Sequence, residues 1–213
     1  MVEAPSRFLR TSCSPDVAGS TPRVGVLALQ GAFREHVQAL ERLGATAIEV
    51  RTPAELADLD GLMLPGGEST TMGLLLDSSG LREPITKVVA DGLPVFGTCA
   101  GLILLATDLE DGTEDQRTLR ALDVTALRNG YGRQVASFEA AVDLAGDDTP
   151  MVGIFIRAPR ITRVGKEVEV LASVGDEPVA VRSGSIMAAT FHPELAHDDR
   201  LHARFLERVT THS

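Results

Sequence analysis

The chain has 213 residues, 44% of them hydrophobic and 23% charged, with 20 Lys and Arg against 30 Asp and Glu for a formal charge of −10. At about 150 residues per domain this length predicts one or two domains, and the composition excludes wholesale disorder. No run of Lys or Arg occurs, and aromatics are scarce (seven Phe, one Tyr, no Trp), which excludes the cation clusters and stacking platforms of a nucleic-acid binder and the basic patch of an anionic-membrane binder.

Residues 1 to 22 are rich in Ser, Thr and Pro without apolar periodicity, and read as a disordered leader rather than a secretory signal. A single domain is expected over 23 to 213. Val24 to Leu29 is a short apolar strand ending at Gln30-Gly31. Phe33, Val37, Leu40 and Leu43 then recur on one helical face. Thr46 to Val50 and Gly61 to Leu64 read as strands, the second ending in Pro65-Gly66-Gly67. Leu81 to Ala90 reads as a helix, Leu93 to Gly97 as a buried strand, and Ala100 to Thr107 as a helix behind it. Strand-like runs follow at Ala121 to Leu127, Ser137 to Val142, Val152 to Ile156, Val168 to Val174, Val179 to Arg182 and Ile186 to Phe191. A helix with Leu201, Phe205, Leu206 and Val209 on one side closes the chain.

Alternating strands and helices imply a three-layer α/β/α fold, with a mixed, mostly parallel sheet covered on both faces. Functional groups in such sheets collect at the carboxyl ends of strands. The longest apolar stretch, Pro94 to Ala106, is too short to span a bilayer. The two cysteines, Cys13 and Cys99, make no disulfide framework and fit a reducing cytoplasm.

Gly97-Thr98-Cys99-Ala100-Gly101 lies between a strand and a helix. This is the cysteine form of the G-x-S-x-G nucleophile elbow, where glycines two residues either side relieve crowding in a sharp turn. The helix behind it would place its positive end beside the sulfur and offer the Ala100 N–H to an oxyanion. A cysteine simply packed at a Gly-rich strand end is the alternative. A thiol nucleophile also needs a base and a group to orient that base. His192-Pro193-Glu194 supplies both, since residues two apart in an extended chain share a face and Pro193 keeps His192 extended. The other histidines, His36, His197, His202 and His212, fall on expected helix surfaces or in the tail and are read as solvated. His192, Glu194, His197 and Asp198 match no strong zinc spacing, so no metal is expected.

Pro65-Gly-Gly-Glu-Ser-Thr70 lacks the length and lysine of a P-loop. It reads as a turn into a helix capped by Ser69 or Thr70, or as a Gly-Gly turn that completes an oxyanion hole. Arg128 and Arg157 stand at strand ends or turns, suited either to an α-carboxylate or to surface salt bridges.

Together these segments resemble the class I (triad) glutamine amidotransferases. Four strings, LQGAFREH at 29–36, LPGGESTTM at 64–72, RNGYGRQVASFE at 128–139 and FIRAP at 155–159, are similar to the glutaminase subunit of pyridoxal 5′-phosphate synthase, the PdxT family. The resemblance runs from about Val24 to Val209. It implies a class I glutamine amidotransferase-like (flavodoxin-like) fold and glutamine hydrolysis through a cysteine thioester. Cys99 would be the nucleophile, His192 the general base and acid, and Glu194 its orienting carboxylate. Gly67, Glu68, Ser69, Arg128, Ile156 and Arg157 would contact glutamine, and the backbone N–H groups of Gly67 and Ala100 would form the oxyanion hole. Gln30 and Gly31 fall where such glutaminases rearrange on docking. The implied partner is a (β/α)₈ synthase subunit that receives ammonia. The chain itself would carry no cofactor, since its two lysines, Lys87 and Lys166, adjoin no phosphate-cradling loop. Two departures stand out: Gly130-Tyr131 where a Ser-Phe pair is expected, and a leader without counterpart.

Overall fold

A computed structural model of the chain describes residues 21–112, 116–132 and 137–212. The expected leader, with Cys13, lies outside these residues apart from its last two, as do Arg133 and Gln134 of the third string.

Five strands build a parallel half-sheet: β1 (Arg23–Leu27), β2 (Thr46–Val50), β3 (Gly61–Leu64), β4 (Val95–Thr98) and, from much later in the chain, β12 (Ile186–Ala189). Their spatial order is β2-β1-β3-β4-β12. An antiparallel wing continues it through β11 (Glu177–Ser183), β10 (Glu169–Val174), β7 (Ser137–Leu144) and β8 (Met151–Ile156). A separate three-stranded sheet joins β5 (Ala106–Glu110), β6 (Leu122–Leu127) and β9 (Arg160–Val164) in that order.

The central strands are apolar on both faces because helices cover both. Leu62, Leu64 and Val95 join one core with Met72, Leu76, Ile85 and Val89 from α2 (Ser69–Ser78) and α3 (Arg82–Ala90). Met63 and Phe96 point the other way, into a second core with Leu40 of α1 (Phe33–Arg42) and Leu201, Phe205 and Val209 of α5 (Arg200–His212). This alternation within single strands is the period-two pattern of a sheet buried on both sides.

Differences from the sequence reading are local. The helix after Cys99, α4, ends at Leu105, and Ala106 already begins β5. That helix is buried throughout, so hydrophobicity alone could not mark its end. The turn after Gly67 does lead into a helix, but its cap is Glu68 rather than Ser69 or Thr70. Strand β9 was not expected; its polar residues Arg160, Thr162 and Arg163 mask the alternation.

Candidate active site

Strand β4 lies between β3 and β12, parallel to both, with Thr98 opposite Ala189 and Gly97 opposite Leu64. Its carboxyl end is therefore the middle of the sheet. There the chain reverses into α4 (Ala100–Leu105), and Cys99 takes φ 50°, ψ −102°. A non-glycine residue at such a positive φ stores on the order of 1–3 kcal/mol of strain, which the surroundings must hold. They do so with a hydrogen bond from the Cys99 N–H to the Ala189 carbonyl at 2.8 Å and one from the Ile103 N–H to the Cys99 carbonyl at 3.2 Å.

The flanking glycines are required by contact. A Cβ on Gly101 would lie 2.0 Å from the Leu64 carbonyl oxygen, and one on Gly97 would lie 2.7 Å from the Gly101 carbonyl carbon. The elbow can fold only because α4 rests directly on the backbone of β3 and β4. Cys99 is a free thiol, 5% exposed, with Sγ 3.9 Å from the Ile156 carbonyl oxygen at the end of β8.

His192 follows β12 and is fixed by its N–H bond to the Ile154 carbonyl at 2.9 Å. Its Nδ1 lies 2.7 Å from Glu194 Oε1, which leaves Nε2 for Cys99. The reason for this contact differs from the sequence argument. Pro193–Leu195 form a short 3₁₀ turn rather than an extended strand, and the turn brings the carboxylate back to the ring.

Burial disfavours charge on both residues, yet each is driven the other way. Hydrogen bonds to Cys99 and Glu194 outweigh desolvation at His192 and raise its pKa to about 10. At Glu194 the neighbouring His36 and His192 outweigh desolvation and hold the carboxyl below the usual range. A protonated His192 beside Cys99 is placed to act as a general acid.

A cavity of about 170 Å³ opens over the sulfur, lined by Gly67, Glu68, Ser69, Cys99, Ile103, Arg128, Asn129, Ile156 and Arg157. That is below the range of about 300–1,000 Å³ typical of drug-sized ligands, and suits a small metabolite. All six residues assigned to glutamine by resemblance meet here.

Glu68 accepts from the Thr70 N–H at 3.0 Å and the Thr71 N–H at 2.6 Å, capping α2. Burial alone would push its carboxyl up; the Thr71 hydroxyl and the two amides bring its pKa down to about 2. Arg128 reaches across to Thr70 Oγ1 at 3.1 Å and Glu68 Oε1 at 3.4 Å. Arg157, in contrast, is exposed and makes no hydrogen bond or ion pair with any described residue. Arg157 and Asn129 both adopt positive φ, 44° and 48°.

The Gly66-Gly67 turn is interlocked with the end of the first strand. Gly31 has φ 90°, and a Cβ there would lie 1.7 Å from the Gly66 carbonyl oxygen. That oxygen accepts from the Ala32 N–H at 3.2 Å, while Gln30 Oε1 accepts from the Glu68 N–H at 3.2 Å. A Cβ on Gly66 would come 2.2 Å from His192 Cε1, so the turn also packs against the imidazole.

Comparison with known proteins adds a family to this geometry. A profile of the SNO glutamine amidotransferase family matches residues 26–211. The chain belongs to that family. It is 57% identical over 191 residues to the pyridoxal 5′-phosphate synthase subunit PdxT of Parafrankia sp., covering 89% of this chain and 94% of the relative. The PdxT subunit of Salinispora tropica is 53% identical over 196 residues, covering 89% and 98%. Among solved structures, a crystal structure of a glutamine amidotransferase superposes with a TM-score of 0.82 at 50% identity, covering 87% of this chain and 98% of that one. A structure of PurLQS from Thermotoga maritima shares the fold, with a TM-score of 0.64 at 18% identity over 88% and 98% of the two chains.

Two histidines correct the sequence reading. His36 and His202, expected in solvent, are both fully buried. A helical stripe would have shown it: His36 falls between Phe33 and Leu40 at spacings of three and four, and His202 precedes Phe205, Leu206 and Val209 by three, four and seven. Each polar ring is in register with the apolar face of its helix. His197 is exposed, as expected. Among the described residues, no group of three or more His, Cys, Asp or Glu is arranged to hold a metal ion, and no helix is long and apolar enough to cross a membrane.

Proposed function

We propose that this amidotransferase hydrolyses L-glutamine at Cys99 and supplies the ammonia to a synthase subunit that makes pyridoxal 5′-phosphate. The observation that carries the reading is the strained elbow cysteine paired with the His192–Glu194 couple at the floor of a metabolite-sized cavity. Family membership fixes the substrate class, and the PdxT relatives point to the synthase.

The Cys99 sulfur attacks the side-chain amide carbon of glutamine, forming a C–S bond and moving the carbonyl π electrons onto oxygen. Ala100 lies in the first turn of α4, where N–H groups have no partner within the helix, and with Gly67 it faces that oxygen. His192 then gives its proton to the amide nitrogen, the C–N bond breaks, and ammonia leaves a thioester. Neutral His192 next takes a proton from water, the hydroxide attacks the thioester carbon, and the C–S bond breaks to release glutamate and regenerate the thiolate–imidazolium pair. Glu194 keeps its charge throughout and holds the imidazole in orientation.

The substrate's α-carboxylate pairs with the unpartnered guanidinium of Arg157. Arg128, held by Thr70 and Glu68, lines the same cavity. Ammonia is lost to water unless it passes directly to its acceptor, so the partner docks over this face, with Gln30 and Gly31 transmitting its arrival to the Gly66-Gly67 turn; the resemblance implies that this partner is a (β/α)₈ synthase. The assembly is a hetero-oligomer in the cytoplasm, where the Cys99 thiol stays reduced.

The test is glutamate release from glutamine by the purified chain, alone and with the synthase subunit. A low rate that rises sharply on addition of the synthase is expected. A rate that the synthase leaves unchanged removes the pairing, and no release in either condition removes the glutaminase.

A further inference from the structure

Behind the catalytic couple lies a second, buried layer. Glu194 turns Oε1 to His192, but Oε2 is enclosed and has no hydrogen-bond partner among the described residues. His36 Nε2 lies 3.5 Å from it, with both side chains fully buried. His36 Nε2 also lies 3.0 Å from the Thr98 hydroxyl, and His36 Nδ1 lies 2.9 Å from His202 Nε2. Residues from β4, α5 and the turn after β12 therefore converge on the His36 ring of α1.

We propose that His36 is a positioning residue for Glu194, held by His202 in the tautomer that carries its proton on Nε2 and aims it at Oε2.

Two observations select this tautomer. The opposite one could accept from the Thr98 hydroxyl at 3.0 Å but would set a nitrogen lone pair against a buried carboxylate oxygen 3.5 Å away, leaving that charge without a donor, which is costly in a low-dielectric interior. It would also make His36 Nδ1 the donor to His202 Nε2, forcing the single ring proton of His202 onto its Nδ1. That atom is buried and has no hydrogen-bond partner among the described residues. An orphaned N–H is the rarer and more costly defect; a bare lone pair is tolerated. With His202 Nε2–H donating to His36 Nδ1, both problems disappear.

Charge on the two rings is set by their surroundings. Burial lowers the pKa of each. Glu194 and Glu35 favour a charged His36 and His192 opposes it; Glu194 and Asp199 favour a charged His202, and His36 and Arg42 oppose it. Both rings stay neutral near pH 7, so they act as dipolar donors and not as a second charge. The Nε2–H dipole of His36, 3.5 Å from Oε2 and braced by His202, thus favours the ionised Glu194 and fixes its place, and through it keeps His192 aligned on Cys99.

The inference rests on the triad reading given under Proposed function, and its test separates the two. The full chain is assayed with its synthase partner, and kcat/KM for glutamine is followed against pH. Removing the donor raises the Glu194 pKa, so His36→Leu is expected to move the acid limb upward by about one pH unit and lower kcat on the order of tenfold. His36→Gln, whose amide nitrogen reaches the Nε2 position, is expected to restore the limb. His202→Phe shifts it in the same direction by less. A limb that superposes on the wild type in His36→Leu, with only the amplitude reduced, overturns the proposal. Should the variants not fold, ¹⁵N spectra of the wild-type chain decide: protonated Nε2 on His36 supports it and protonated Nδ1 overturns it. Retained turnover in Cys99→Ala would instead fail the triad itself.

Discussion

Gly101→Ala isolates the link between packing and chemistry. The new methyl would lie 2.0 Å from the Leu64 carbonyl oxygen and 2.9 Å from its carbon, where ordinary contact begins near 3.4 Å. Both atoms are backbone of β3, the central strand of the five-stranded parallel half, so α4 must withdraw by about 1.4 Å. Cys99 is the residue that joins β4 to α4, and it moves with the helix. A displacement near 1 Å of a reacting group costs about 10²-fold in rate, and overpacking of a filled core costs about 1–3 kcal/mol. Gly73→Ala is the control, since Gly73 lies inside α2 with only the Arg82 guanidinium 3.5 Å from its added methyl. There the same substitution gains helix propensity and is expected to stabilise by about 0.5–1 kcal/mol. Urea unfolding midpoints and kcat for glutamate release measure both effects. A Gly101→Ala protein as stable as the wild type and within twofold of its kcat would refute the reasoning.

Glu68→Ala removes the cap of α2 and one anchor of Arg128; a loss of about 1 kcal/mol in urea unfolding and a raised KM for glutamine are expected. Tyr131→Phe deletes the 2.8 Å hydrogen bond to Glu177 but keeps the ring 4.9 Å from Phe138, so stability falls by about 1 kcal/mol and KM rises through the adjoining Arg128-Asn129 turn while kcat holds. Burial lowers the His202 pKa to about 3, beneath its unfolded value near 6.5. The unfolded chain therefore binds the extra proton first, and the contribution of neutral His202 is complete above about pH 6.5 and lost as pH falls toward 3. Urea midpoints measured from pH 7 down to 4 are expected to decline less steeply in His202→Phe than in the wild type.

The alternating core was legible because two-sided burial writes itself as short apolar runs: Gly61 to Leu64 and the segment ending at Gly97 appear in the structure as the strands flanking the elbow. The elbow and the pairing of His192 with Glu194 were legible as residue types at fixed spacing, whereas the 3₁₀ turn that makes the pairing was not. What stayed hidden was held by tertiary contact. His36 and His202 occupy apolar stripes, but hydropathy treats a histidine as polar and cannot see that a partner 166 residues away satisfies it. Glu68 was read as a substrate contact, and its capping of α2 depends on a backbone turn set by Gln30 and Gly31. Strand β9 needed its partner β6 to be seen, because its outward side chains are mostly charged.

The central claim, that Cys99 is the nucleophile for glutamine, is tested most directly by inactivating the chain with an electrophilic glutamine analogue and mapping the modified peptide by mass. Cys99 is expected to take the label, glutamine to protect it, and glutamate release to disappear in proportion to labelling. Complete inactivation with Cys99 unmodified, or full modification of Cys99 with turnover retained, would contradict it.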